Sequence, residues 1–113
     1  MQLQVLEADY SNAKHAQAIV QLLNAYASDP MGGNEALTEQ TKQNLLPALA
    51  KIPGAFSILA MADGLPVGLV NCFQGFSTFV CQPLINVHDV YVLDDYRGSG
   101  ISLKTTAFNI GDF

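Results

Sequence analysis

Asn86-Val-His-Asp-Val-Tyr-Val-Leu-Asp-Asp-Tyr-Arg-Gly-Ser-Gly-Ile-Ser102 is the stretch on which the reading of this 113-residue chain turns. Val87 to Leu93 is β-branched and aromatic, the composition of a strand. Asp94 and Asp95 end it, Arg97-Gly98-Ser99-Gly100 makes a tight turn, and Ile101-Ser102-Leu103 opens a helix. A strand, a glycine-rich turn and a helix start together make an anion cradle. Glycines let the backbone approach a phosphate closely, and the unpaired N–H groups of a first helical turn point at it. Two other phosphate loops are excluded. The chain has no Gly-x-x-x-x-Gly-Lys-Ser/Thr, and Leu103 stands where a dinucleotide fingerprint needs its third glycine.

The elements upstream follow from pattern and punctuation. Gln2 to Glu7 alternates apolar and polar residues, a short strand. Asp9 or Ser11 is placed to cap a helix over Ala13 to Ala27, whose stripe is Ala16, Ile19, Val20, Leu23, Tyr26 and Ala27. Ser28-Asp29-Pro30 and Gly32-Gly33 stop it, and Asp29 to Leu37 reads as a mobile connector. Thr38 caps a second helical stretch carrying Leu45, Leu46 and Leu49, in which Pro47 predicts a kink or two short helices. Ala55 to Ala62 is a strongly apolar strand, Asp63-Gly64 a hairpin turn, and Val67 to Phe73 its partner strand. The run continues through Gln74 to Val80 until Pro83 breaks it, before the central strand begins near Leu84. Phe73, Phe76 and Phe79 are expected in the core rather than as pocket walls.

With that order in hand, Arg97-x-x-Gly100-x-Ser102 after Val90-Tyr91-Val92 resembles the acetyl-CoA loop of the GCN5-related N-acetyltransferases, the GNAT superfamily, written Arg/Gln-x-x-Gly-x-Gly/Ala. Ser102 departs from the last position, but is small and can donate. The acidic-Gly hairpin followed by Pro66-Val67-Gly68 is also similar to the family's second and third strands. The resemblance implies an α/β (α+β) fold with a mixed, mostly antiparallel central sheet flanked by helices, in one domain over 1–113. It implies acetyl transfer from acetyl-CoA to a primary amine of a small-molecule acceptor. Backbone contacts to the pantetheine would come from Tyr91, Val92 and Leu93, and pyrophosphate contacts from Arg97, Gly98, Ser99, Gly100, Ile101 and Ser102. The Arg97 side chain either adds a charge-assisted bond or points to solvent. The loop Asp29 to Leu37 would border the acceptor.

Family members often use a strand glutamate or a water relay as general base, and no glutamate lies between Ala55 and Phe113. His88 is the candidate in its place, since histidine titrates near neutral pH. Strand alternation puts His88 with Asn86 and Val90, and Asp89 on the other side with Tyr91. The family's general acid, a tyrosine of the C-terminal half, has no counterpart here.

Composition bounds the rest. Half of the residues are hydrophobic and 13% are charged, as in a folded globular chain. A net charge of −5 argues against nucleic acid as a partner. Cys72 and Cys81 have no metal-like or redox-like spacing and read as buried packing thiols, so no metal is expected. No signal segment or membrane-length apolar run is visible, and a cytoplasmic location is expected. Thirteen residues follow Gly100, against a helix and further strands in the family, and Lys104 to Phe113 shows no helical stripe. This reads as a truncated or frame-shifted chain that lacks the C-terminal elements. An open strand edge would follow, and with it a homodimer or larger species. The competing class is a catalytically inactive fragment, acting only as a CoA-binding or self-associating module.

Overall fold

The computed structural model describes residues 2–98, 100 and 101. Ser99, Ser102 and the tail beyond it lie outside the described residues, so the readings made for them have no structural counterpart here. The elements are β1 (Leu3–Glu7), α1 (Ala13–Ser28), α2 (Glu39–Leu49), β2 (Ala55–Ala62), β3 (Leu65–Ser77) and β4 (Gln82–Val92), with single 3-10 turns at Pro30–Gly32 and Asp94–Tyr96. The four strands form one sheet in the order β1-β2-β3-β4, every pair antiparallel. This is the α+β architecture that the order of elements implies.

Asn12 caps α1, not Asp9 or Ser11. Its Oδ1 accepts from the N–H groups of Lys14 and His15 at 2.9 and 3.1 Å. Asp9 is occupied one turn earlier, accepting from both the amide and the hydroxyl of Ser11, which together lower its carboxyl pKa from the ordinary value. The buried face of α1 is centred on Ala18, Ile19 and Leu22, and Ala16, Val20 and Leu23 flank it. The buried face is thus rotated by part of a turn from the expected stripe. Thr38 caps α2 as expected, accepting from Thr41 N–H at 3.1 Å. Pro47 does not split α2: it falls in the last turn, where its missing N–H removes one intrahelical bond shortly before the helix ends.

Asp63 and Gly64 both have left-handed backbones, φ 51° and 83°, the requirement of a two-residue type I′ hairpin. β3 and β4 are longer than expected, and Pro83 lies within β4 opposite Phe76 instead of interrupting it. The ladder explains why. Gln74 of β3 turns its N–H to Gly54, away from β4, so alternation gives Phe76 and Pro83 the same sense. The Pro83 nitrogen then faces the outer edge of β4, which has no partner strand among the described residues.

Ala18, Ile19, Leu22, Leu46, Leu59 and Leu69 form the core between the helices and one face of the sheet. The other face carries Ala60, Ala62, Val67 and Val92 under Ile101, with Ile58, Val70 and Cys72 beside them. Burial raises the pKa of the Cys72 thiol, in keeping with a packing role. Cys81 differs from the expectation: it is exposed, in the turn between β3 and β4. Phe76 and Phe79 are also not core. They are 59% and 101% exposed, because β3 and β4 run on past the end of β2 as a two-stranded arm.

Candidate functional site

β4 delivers its C-terminal end to a cleft of about 220 Å³ lined by Val90, Val92, Tyr96, Arg97, Gly98, Gly100 and Ile101. Gly98 and Gly100 have φ of 83° and 82°, and nothing lies within 4 Å of where a Cβ would stand at either. The glycines are therefore required by the turn of the backbone and not by crowding. Ile101 fixes the turn to the sheet: it is buried, and its side chain lies over Gly68, where an added Cβ would come within 3.3 Å of it.

The pairing decides which backbone groups of β4 face this cleft. Leu93 donates its N–H to the carbonyl of Val67 at 2.9 Å, so it faces β3. By alternation Tyr91 also faces β3, opposite Leu69, and the N–H and C=O groups of Val90 and Val92 point to the open edge. Of the three residues expected to offer backbone contacts, Val92 turns its N–H and C=O to the open edge, where its carbonyl accepts from Arg97, while those of Tyr91 and Leu93 turn toward β3. Val90 turns its backbone groups outward as well. The sequence held the signal for it, since counting back two from Val92 names it.

The Arg97 side chain is engaged within the protein. Its Nε donates to the Val92 carbonyl at 2.8 Å, one terminal nitrogen pairs with Asp94, and the other reaches Asp29 at 3.3 Å. The guanidinium lies 5.4 Å from the centre of the Tyr91 ring, which in turn packs on Tyr26 of α1. The Met31 amide first, and Arg97 after it, hold the Asp29 carboxyl below its ordinary pKa. Burial raises the pKa of the Tyr91 hydroxyl, and the Asp29 charge adds to this.

His88 is the extra residue of a β-bulge. Asn71 pairs with Asp89 and Cys72 with Val87, so β4 has one residue more than β3 at this point. Asp89 stays with Tyr91 and His88 with Asn86, as expected, but the bulge separates His88 from Val90 and removes its opposition to Asp89. Val87 and Val90 now lie opposite Cys72 and Val70 on one face, and exposed His88 sets its ring edge on Phe73, 5.6 Å between centroids. Phe73 lies on the Asn71 side, so His88 and Asp89 emerge on the same side of the sheet.

Asp89 ends a polar chain that sequence reasoning missed. Asn71 Nδ2 donates to Asp89 Oδ2 at 3.1 Å, and Ser57 Oγ donates to Asn71 Oδ1 at 2.7 Å. Since the Ser57 proton is committed, Tyr10 Oη must donate to Ser57 Oγ across their 2.8 Å contact. Burial raises the pKa of the Tyr10 hydroxyl, against the bond to Ser57. The four residues come from four segments, and only the register of three strands brings them together.

No protein-family model matches the sequence, and no curated protein does. Solved structures do. Ribosomal-protein-alanine N-acetyltransferase from Brucella melitensis biovar Abortus 2308 matches with a TM-score of 0.72 at 20% identity, over 94% of this chain and 67% of that one. A possible acetyltransferase from Clostridium difficile 630 matches with a TM-score of 0.76 at 18% identity, over 97% and 71%. AAC(6′)-Iy in complex with the bisubstrate analog CoA-S-monomethyl-acetylneamine gives 0.72 at 15% identity, over 95% and 68%. The chain thus spans about two thirds of the length of the structures it matches. The chain has the GNAT-like fold of these acetyltransferase structures.

Proposed function

We propose that the chain is an acetyl-CoA-dependent N-acetyltransferase domain acting on a primary amine of a small molecule. The observation that carries this is the continuity of the outer β4 edge at Val90 and Val92 with a turn whose two glycines are held left-handed. An extended pantetheine arm can pair with such an edge as an added strand would. The turn can bring backbone N–H groups within reach of a pyrophosphate. In this reading Val90 and Val92 take the arm, and Arg97 through Ser102 take the phosphates by their backbones. Among the described residues no group of three or more His, Cys, Asp or Glu is placed to hold a metal ion. Likewise, no helix among them is long and apolar enough to cross a membrane. We place the domain in the cytoplasm.

The amine nitrogen attacks the thioester carbonyl carbon, the C–N bond forms as the C–S bond breaks, and CoA leaves as the thiolate, which takes a proton from solvent. The proton lost by the amine goes to one of the two groups that the bulge brings to one side, His88 or Asp89. Asp89 already accepts from Asn71 through Oδ2, whereas His88 stands exposed. The test is thiol release from acetyl-CoA with a panel of amines including aminoglycosides. His88→Gln should lower kcat at least about tenfold and Asp89→Asn less, the usual scale for loss of a proton acceptor. Thiol release no faster with any amine than without would defeat the transferase reading.

Self-association belongs to the same reading. Phe76, Phe79 and Val80 are exposed on the arm formed by β3 and β4, beside the open edge of β4. Sedimentation should show a dimer or larger species that weakens in Phe79→Ser; a monomer at every concentration would contradict it.

A further inference from the structure

We infer that Arg97 is a positioning residue that ties the loop between α1 and α2 to the cleft, so that a ligand held in the cleft also fixes that loop. The inference rests on the acetyl-CoA reading of the cleft for its ligand. Its structural basis is independent of that reading.

Arg97 belongs to the turn in sequence, but its side chain leaves the turn at once. It runs back along β4 to the Val92 carbonyl, lies over Tyr91, and ends on Asp29, sixty-eight positions away in the chain. Asp29 is not an incidental partner. It closes α1, donating its N–H to Ala25 and Tyr26, and it starts the following turn by accepting from the Met31 amide at 3.0 Å. Its own carbonyl takes the N–H groups of Gly32 and Asn34 at 2.8 and 3.0 Å. One residue therefore organises the first half of the loop, and Arg97 holds that residue by its free carboxylate oxygen.

The loop is closely fitted in consequence. A Cβ at Gly32 would stand 1.9 Å from the Tyr26 carbonyl oxygen, so the chain passes directly over the end of α1. Glu35 N–H bonds Ala27 O at 2.9 Å, and Leu37 N–H bonds Asn24 Oδ1 at 2.9 Å. The loop thus forms a wall, hydrogen-bonded to α1 near both of its ends. Met31 projects from it, 75% exposed. The Arg97–Asp29 pair links the wall to the cleft, with the Tyr91 ring packed on Tyr26 beside it.

Both anchors of Arg97 on the cleft side are groups that a bound ligand would immobilise: its own backbone in the turn, and Val92 at the strand edge. Asp29 is 15% exposed and Arg97 38%, so the pair is screened less than a fully exposed one. Rigidity gained in the cleft is then passed to the loop through a fork of fixed geometry, which a lysine could not reproduce.

Hydrogen exchange read by mass spectrometry over residues 29–37 tests this, with and without CoA, in the wild type, Asp29→Asn and Arg97→Lys. Asp29→Asn keeps the oxygen that accepts from Met31 and loses the charge that holds Arg97. CoA should slow exchange in the wild-type loop about threefold or more, and not in Asp29→Asn, which should still bind CoA within about threefold of the wild type. Without ligand, both variants should exchange faster than the wild type in the loop and equally in β2. Equal slowing by CoA in Asp29→Asn, or none in a wild type that binds CoA, would overturn the inference. So would loop exchange unchanged by either substitution. Failure of the wild type to bind CoA by calorimetry would instead count against the cofactor reading, leaving the ligand-free comparison to decide on the tie.

Discussion

Asn71→Asp should destabilise the protein by about 3–5 kcal/mol at neutral pH and recover most of that loss in mild acid. Asn71 and Ser57 are buried, and Nδ2 of Asn71 lies 3.1 Å from Asp89 Oδ2. An aspartate there replaces a donor with a second carboxylate oxygen facing the first, away from water. Burial and like charge both raise the pKa of the pair in the folded state. The folded state then binds more protons than the unfolded one, so stability rises as pH falls. The penalty is full above the raised folded value and fades as pH drops towards the unfolded carboxylate value of about 3.9. Asn71→Leu separates charge from shape. It also removes both hydrogen bonds and should cost about 1–3 kcal/mol, with little dependence on pH. Urea unfolding at about pH 7 and about pH 4.5 distinguishes the two. Parallel pH profiles for the two variants would show that the chain from Tyr10 to Asp89 does not sit as described.

Gly100→Val should weaken CoA binding about tenfold or more. At φ 82° a β-branched residue is strained by about 1–2 kcal/mol, and the turn relieves that strain only by rotating its N–H groups away from the cleft. A factor of ten corresponds to about 1.4 kcal/mol, within reach of that rotation alone. Gly64→Val is the control. Gly64 has φ 83° and open space around it, in the β2–β3 hairpin, so it carries the same strain away from the cleft. Calorimetric titration of both should show the affinity loss at Gly100 only. Equal affinities would mean that the turn does not hold the phosphates.

The two variants probe features that differ in how far the sequence reveals them. Gly100 was legible because a left-handed turn after a strand needs glycine, a local requirement that one hexapeptide states. The hairpin at Asp63-Gly64 and the Thr38 cap were legible for the same reason. Asn71 was not, because its role depends on the register of β2, β3 and β4, which no local pattern records. His88 shows the limit most clearly. Its strand was evident, but a single extra residue in β4 brings it to the same side as Asp89, and a bulge leaves no mark in an alternating pattern. Pro83 failed as a strand breaker since the outer edge of β4 tolerates a missing N–H, and edge position is a property of the sheet. Arg97 was identified as a residue of the turn, yet its partner Asp29 lies at the other end of the chain, and only the fold brings the two charges together.

The most direct test of the account is calorimetric titration of the unmodified chain with acetyl-CoA. The cleft bounded by Val90, Val92 and the turn from Arg97 to Ile101 predicts saturable one-to-one binding in the micromolar range, competed by CoA. Heat indistinguishable from dilution into the millimolar range, with the chain folded, would contradict it.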